Sequence, residues 1–238
     1  IIILFFVSFS SSIAENLQFI ENKNQWDKKI YFKAEIPNGD LYFEKNTLTY
    51  NFYDPALIKS AHEHKKIPVS KSLKDNGKIN LHAYKLNFIG SNKEVEISGL
   101  YPTNDYRNYF IGKDKNKWAS KVKLYDELLY KNLYNNIDLK VYEYENNLKY
   151  DYIVKPNADV SNIVLEYAGV KKIKIKDKKL VITTTVNEIS EQKPYSYQYI
   201  NGIKKEVECY YHLVGNIVSF SFPNGYNKNF ELIIDPNL

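Results

Sequence analysis

His62, Glu63 and His64 form the pattern in this chain that comes nearest to a metal site. Alternate residues of an extended segment face one way, so the two imidazoles could meet a single ion. A zinc site needs three or four protein ligands, and no third ligand stands at a recognisable offset. The tripeptide also lies in a polar stretch, which reads as a solvated loop. His82 and His212 fall singly on extended patterns and read as packed or half-exposed strand residues. Cys209 sits between Glu208 and Tyr210 with no cationic neighbour to lower its pKa, so it reads as a buried structural thiol. As the one cysteine of the chain, it allows neither an internal disulfide nor a cysteine-based zinc site.

Glu143, Glu145 and Asp151 cluster near one hairpin pattern. A carboxylate pair across a cleft is the equipment of glycoside hydrolysis. Lys149 stands among them, however, and charges alternating on a solvated face account for them equally well. There is no nucleophile elbow, and the nine glycines are too scattered to build a phosphate loop. The sequence therefore assigns no catalytic residue, no metal ligand and no cofactor.

Two stripes could instead bind without catalysing. Lys172, Lys174 and Lys176 alternate with Ile173 and Ile175, and Lys178 and Lys179 follow. Lysines in this position protect an edge strand from pairing with other chains. They could also attract anionic polysaccharide or lipid headgroups. Tyr195, Tyr197 and Tyr199 form the second stripe. Tyrosines at period two can line a sandwich core and rim, join a partner sheet or stack on sugar rings.

The elements that must carry these residues are strands. Period-two alternation runs through most of the chain. Leu41–Phe43 and Thr47–Tyr53 predict a hairpin turning at Lys45-Asn46, and Ile79–Phe88 predicts a further strand. Leu139–Tyr144 and Leu148–Val154 would pair across Asn146-Asn147, and Ile173–Lys176 and Leu180–Thr185 across Asp177–Lys179. Tyr195–Ile200 would turn at Asn201-Gly202, a strong hairpin signal, and return along Val207–Leu213. Ile217–Phe222 and Phe230–Ile234 complete the set. Residues Lys117–Tyr125 read as the one short helix, and Pro55–Gly77 and Asn157–Ser161 as loops. The expected fold is an all-β antiparallel sandwich over residues 15–238, and the pattern admits a division into two packed subdomains, 15–128 and 129–238.

Composition agrees. The 238 residues are 44% hydrophobic and 15% aromatic, enough to bury a core and too apolar for disorder. The net charge of +5 comes almost wholly from lysine, since Arg107 is the single arginine. Arginine is the preferred residue for bidentate phosphate and base contacts, so a nucleic-acid partner is not expected. Ile1–Val7 is an apolar run followed by Ser8–Ser12, and Ser12 and Ala14 suit the −3 and −1 positions of a cleavage site. With no methionine in the chain, residues 1–14 read as a clipped signal peptide. The run is too short to span a bilayer, so no transmembrane segment is expected.

Several phrases then occur in order: Phe19-Ile20-Glu21-Asn22-Lys23-Asn24-Gln25-Trp26, Leu48-Thr49-Tyr50-Asn51-Phe52, Tyr109-Phe110-Ile111-Gly112 with Lys117-Trp118-Ala119-Ser120, Tyr130–Tyr134 with Ile137-Asp138-Leu139, Leu148–Pro156, and Leu232-Ile233-Ile234-Asp235-Pro236. Together they resemble an uncharacterised N-terminal β-rich domain of the DUF7948 type, found in secreted proteins of Bacteroidota and some other bacteria. One departure is Asn24, where many relatives have Gly. The resemblance implies export, with partners in the same chain: propeller-type SBBP repeats, PKD-type domains and a sorting domain of the gliding-motility or type IX kind. It brings no catalytic residue. The function this implies is a non-catalytic module of a larger secreted or cell-surface protein, in adhesion, gliding-related display or assembly. A carbohydrate-binding module, contacting surface glycans, is the alternative, and a carboxylate-dependent hydrolase the next.

Overall fold

The computed structural model describes residues 17–54, 80–145 and 147–236. They form eighteen strands and two single-turn 3-10 segments, Lys115–Lys117 and Val160–Asn162. The first strands are β1 (Phe19–Glu21), β2 (Phe32–Ile36), β3 (Gly39–Phe43), β4 (Thr47–Tyr53) and β5 (Leu81–Ile89). Next come β6 (Glu96–Tyr109), β7 (Ala119–Tyr134), β8 (Ile137–Tyr144), β9 (Asn147–Val154) and β10 (Val164–Ala168). Then follow β11 (Lys172–Lys176), β12 (Lys179–Thr183), β13 (Glu188–Glu191) and β14 (Tyr195–Ile200). The last are β15 (Ile203–Val207), β16 (Tyr210–Val214), β17 (Ile217–Ser221) and β18 (Leu232–Asp235). All pairings are antiparallel, so the all-β expectation stands.

The main sheet runs β15-β14-β18-β9-β8-β7-β1-β2-β3-β4-β5-β10-β17-β16, with β6 paired to β7. Its two terminal strands, β15 and β16, are joined only by Glu208 and Cys209. A two-residue link reaches about 10 Å, so the sheet has to fold back until its ends meet. Tyr152 of β9 then lies 5.8 Å from Phe220 of β17, and Phe88 of β5 lies 6.1 Å from Tyr130 of β7. The Tyr134 hydroxyl donates to the Val164 carbonyl across the same interior at 3.1 Å. The result is a sandwich made by one sheet. The separate sheet β11-β12-β13 contributes Leu180 and Ile182 to the same hydrophobic cluster.

The sequence reading needs three corrections. Lys117–Tyr125 is not a helix. Ala119, Val122 and Leu124 bury into a small cluster with Ile20, and β7 extends as a strand for 16 residues. The return from Asn201-Gly202 is Ile203–Val207, while β16 pairs with β17 instead. The β8–β9 turn falls one residue earlier than expected, since Tyr144 pairs with Asn147. The 128/129 position falls inside β7, and one cluster takes buried residues from both sides of it, from Leu17 to Ile234.

Candidate functional site

Strand β14 carries its side chains the opposite way round from an ordinary half-buried strand. Ser196 and Gln198 are buried, and Tyr195, Tyr197 and Tyr199 face outward, Tyr199 being 56% exposed. The reason lies in the chain that covers the inner face here. Gln198 Nε2 donates to the Asn227 carbonyl at 2.8 Å, and its Oε1 accepts from the Asn227 amide at 2.9 Å. The Ser196 hydroxyl donates to the Val207 carbonyl at 2.8 Å. Backbone groups left inside must find partners, and these two polar side chains supply them. The tyrosines are turned outward as a consequence.

The three rings form a ladder, with centroids 5.5 Å apart between Tyr195 and Tyr197 and 5.8 Å between Tyr197 and Tyr199. Lys204 of β15 lies over it, 3.8 Å from the Tyr197 centroid and 4.9 Å from that of Tyr195. Cation–π attraction holds the ammonium there. Tyr199 is left as the open ring.

Beside the ladder, the outward residues of β18, β9 and β8 form a polar lattice. Lys149 bonds Asp235 at 2.8 Å, and the Tyr142 hydroxyl lies 3.2 Å from Asp151. Lys140 bonds Glu127 at 2.6 Å, and Lys155 bonds Asp138 at 2.9 Å. The register that pairs Ile234 with Tyr152 continues to bring Asp235 beside Asp151. Burial, and then the Asp235 charge, push the Asp151 carboxyl up to about 6. A carboxyl of raised proton affinity beside a second carboxylate is what acid–base chemistry would use. Here each is already bonded to a side chain of its own sheet.

The other sequence candidates disperse. Glu143 lies on β8 opposite Leu148, and Glu145 occupies the turn that follows at φ +52°. His82 ties β5 to the small sheet: its Nε2 lies 2.9 Å from the Gly169 carbonyl and its Nδ1 3.1 Å from the Thr185 hydroxyl. It is a half-exposed strand residue. His212 is exposed on β16. Cys209 is buried, and burial pushes its thiol up to about 12. The lysine stripe falls on β11, an edge of the three-stranded sheet, where lysines guard against further pairing. Lys178, together with Lys193, stacks on Tyr210. His62, Glu63 and His64, the Pro55–Gly77 stretch and residues 1–14 lie outside the described residues. Among the described residues no group of three or more His, Cys, Asp or Glu side chains could hold a metal ion.

Sequence reasoning missed Asp235, Tyr142, Lys204 and Gln198. Only the register brings the first two to Asp151, and no local signal marks a glutamine that will clamp a loop 29 residues away. A depression of about 410 Å³ lined by Gly90, Asn92, Asn132, Asn135 and Asn136 holds no titratable side chain.

A family model described as a domain of unknown function, DUF7948, matches residues 19–237. The chain belongs to the DUF7948 family. No curated protein and no solved structure matches it. The match starts at β1 and runs past β18, so the DUF7948 domain includes the tyrosine ladder and the lattice beside it. Among the described residues of the domain, no helix is long and apolar enough to cross a membrane.

Proposed function

We propose that this DUF7948 domain is a non-catalytic recognition module of a larger secreted or cell-surface bacterial protein, and that its tyrosine ladder contacts glycan chains. The single observation that carries the binding reading is the outward turn of Tyr195, Tyr197 and Tyr199 while Ser196 and Gln198 are buried. Three aromatic rings in a row on a sheet face offer flat apolar surfaces with polar rims, which suit the CH faces and hydroxyls of successive sugars. Tyr199 is the open platform, and Lys204 can leave the neighbouring rings to meet hydroxyl or acidic groups of the ligand. Adhesion, display or assembly in a multidomain surface protein would use such a face. Its partners in the chain would be propeller or PKD-type repeats.

Affinity electrophoresis through gels containing soluble xylan, mannan or alginate tests the reading. The wild-type chain should be retarded by at least one polysaccharide, and Tyr195→Ala/Tyr197→Ala/Tyr199→Ala should migrate freely with an unchanged melting temperature. Equal retardation of both proteins, or none of either, would count against the ladder.

The hydrolase alternative draws on Asp151, whose carboxyl is pushed up to about 6. Loss of glycan hydrolysis in Asp151→Asn, with binding kept, would favour it.

A further inference from the structure

The hairpin of β6 and β7 outruns the sheet that supports it. β1 reaches β7 only at Leu124 and Tyr125, and β8 only from Glu127 onward, so Ala119–Lys123 pair with β6 alone. The base of this arm is anchored. Trp26 meets Tyr109 edge to face at 5.5 Å, against the small cluster of Ile20, Ala119, Val122 and Leu124. Beyond Tyr109 every residue from 110 to 118 is exposed, including Phe110 at 59%, Ile111 at 77% and Trp118 at 38%.

The tip is nonetheless built. Trp118 Nε1 donates to the Gly112 carbonyl at 3.2 Å, and the Asp114 carboxylate caps the Asn116 amide at 3.0 Å. Phe110 meets Trp118 edge to face at 5.7 Å. Two large aromatic rings and an isoleucine are thus held in water by a tied loop. Clustered apolar exposure of this kind marks an interaction surface. The surrounding charge is one-sided: from 113 to 123 there are Lys113, Lys115, Lys117, Lys121 and Lys123 against Asp114, a net +4. Lys115 lies 5.8 Å from the Trp118 ring, so the lysines border the apolar residues directly.

We propose that this tip inserts into the surface of a lipid bilayer with anionic headgroups. Phe110, Ile111 and Trp118 enter the interface, and the lysines stay at headgroup level. Charge complementarity selects an anionic surface. Aromatic rings with a polar edge favour the interfacial zone. The tip of a narrow hairpin is convex, which suits a deformable lipid surface, whereas a protein partner would need a pocket shaped to it. The site is separate from the tyrosine ladder and does not depend on it.

The test is cosedimentation of the whole chain with phosphatidylglycerol/phosphatidylcholine vesicles and with phosphatidylcholine vesicles alone. The wild type should bind the anionic vesicles, more weakly as salt rises. Ile111→Asp should lose about tenfold or more in partitioning, and Lys113→Gln/Lys115→Gln/Lys117→Gln should lose the preference for anionic lipid. In a Trp26→Phe background Trp118 is the sole tryptophan, and its emission should shift to the blue and be quenched by brominated lipid. No cosedimentation by a chain with a normal melting transition would overturn the proposal, as would binding unchanged by Ile111→Asp. Dimerisation abolished by Ile111→Asp, without lipid binding, would overturn it in favour of a second copy of the chain.

Discussion

Tyr150 and Glu191 stand 41 residues apart in the chain, and their side chains meet at 2.7 Å in the core. Tyr167 donates to the other carboxylate oxygen at 2.9 Å, and Tyr211 donates at 3.2 Å. Glu191 is 3% exposed, on the last residue of β13. Three hydroxyls therefore fasten the small sheet to both layers of the main one, since β9, β10 and β16 each supply a tyrosine.

Burial raises the Glu191 pKa, and the three hydroxyls only partly oppose it. The folded state holds this proton more tightly than the unfolded chain does. Stability is therefore greatest below the unfolded pKa and falls as pH rises through the window up to the folded value. Glu191→Gln keeps the oxygen acceptor and an amide that can donate, so it should fold and lose this part of the pH slope. Glu191→Ala leaves three hydroxyls unpaired and should cost about 3 kcal/mol. Urea unfolding of the three proteins at several pH values checks both outcomes. A slope retained in full by Glu191→Gln would show that other groups carry it.

Asp151 gives a second dependence of the same sign. Its carboxyl is pushed up to about 6 by burial and by Asp235, so its ionisation weakens the fold as pH rises from the ordinary carboxylate range to about 6. Asp151→Asn should therefore stabilise the protein above that window by about 1 kcal/mol, a value reduced for partial solvent screening. Below the window the two proteins should melt alike. Thermal unfolding at acidic and at slightly alkaline pH separates the cases.

Gly39 opens β3 where the chain passes close to β4. A Cβ there would lie 2.2 Å from the Asn51 carbonyl oxygen, a backbone atom that cannot swing aside. Gly39→Ala should cost about 2 kcal/mol through forced backbone displacement. Gly202, at φ +79° with open space around it, should lose only about 1 kcal/mol on the same change. Denaturant midpoints measured side by side would distinguish a clash from a conformational preference.

Cys209 should resist thiol reagents in the folded chain. It is fully buried, and its thiol is pushed up to about 12 by that burial. Labelling by a disulfide reagent at neutral pH should proceed only at the rate of opening and become fast in denaturant. Rapid labelling without denaturant would place the thiol at the surface.

The hairpin at Asn201-Gly202 was legible because two residues in left-handed backbone, at φ +53° and +79°, suit those residue types wherever the chain goes. The Lys45-Asn46 hairpin and most of β5 were legible from period-two alternation in the strands themselves. The strand at Ala119–Tyr134 was not, because a bulge with Lys121 at φ +50° sets its buried Ala119 and Val122 three residues apart, which is a helical spacing.

The sequence by itself determined strand after strand, the alternating lysine stripe of β11 and the family resemblance carried by ordered phrases, since period two and turn chemistry act within a few residues. Only the tertiary structure decided which way β14 faces, that Asp151 meets Asp235, and that Phe110, Ile111 and Trp118 end in water. Each depends on which distant segment covers a given face. A loop needing Gln198, a neighbouring strand bringing Asp235, and a support that stops short of the β6–β7 tip are facts of packing, and no local pattern encodes them.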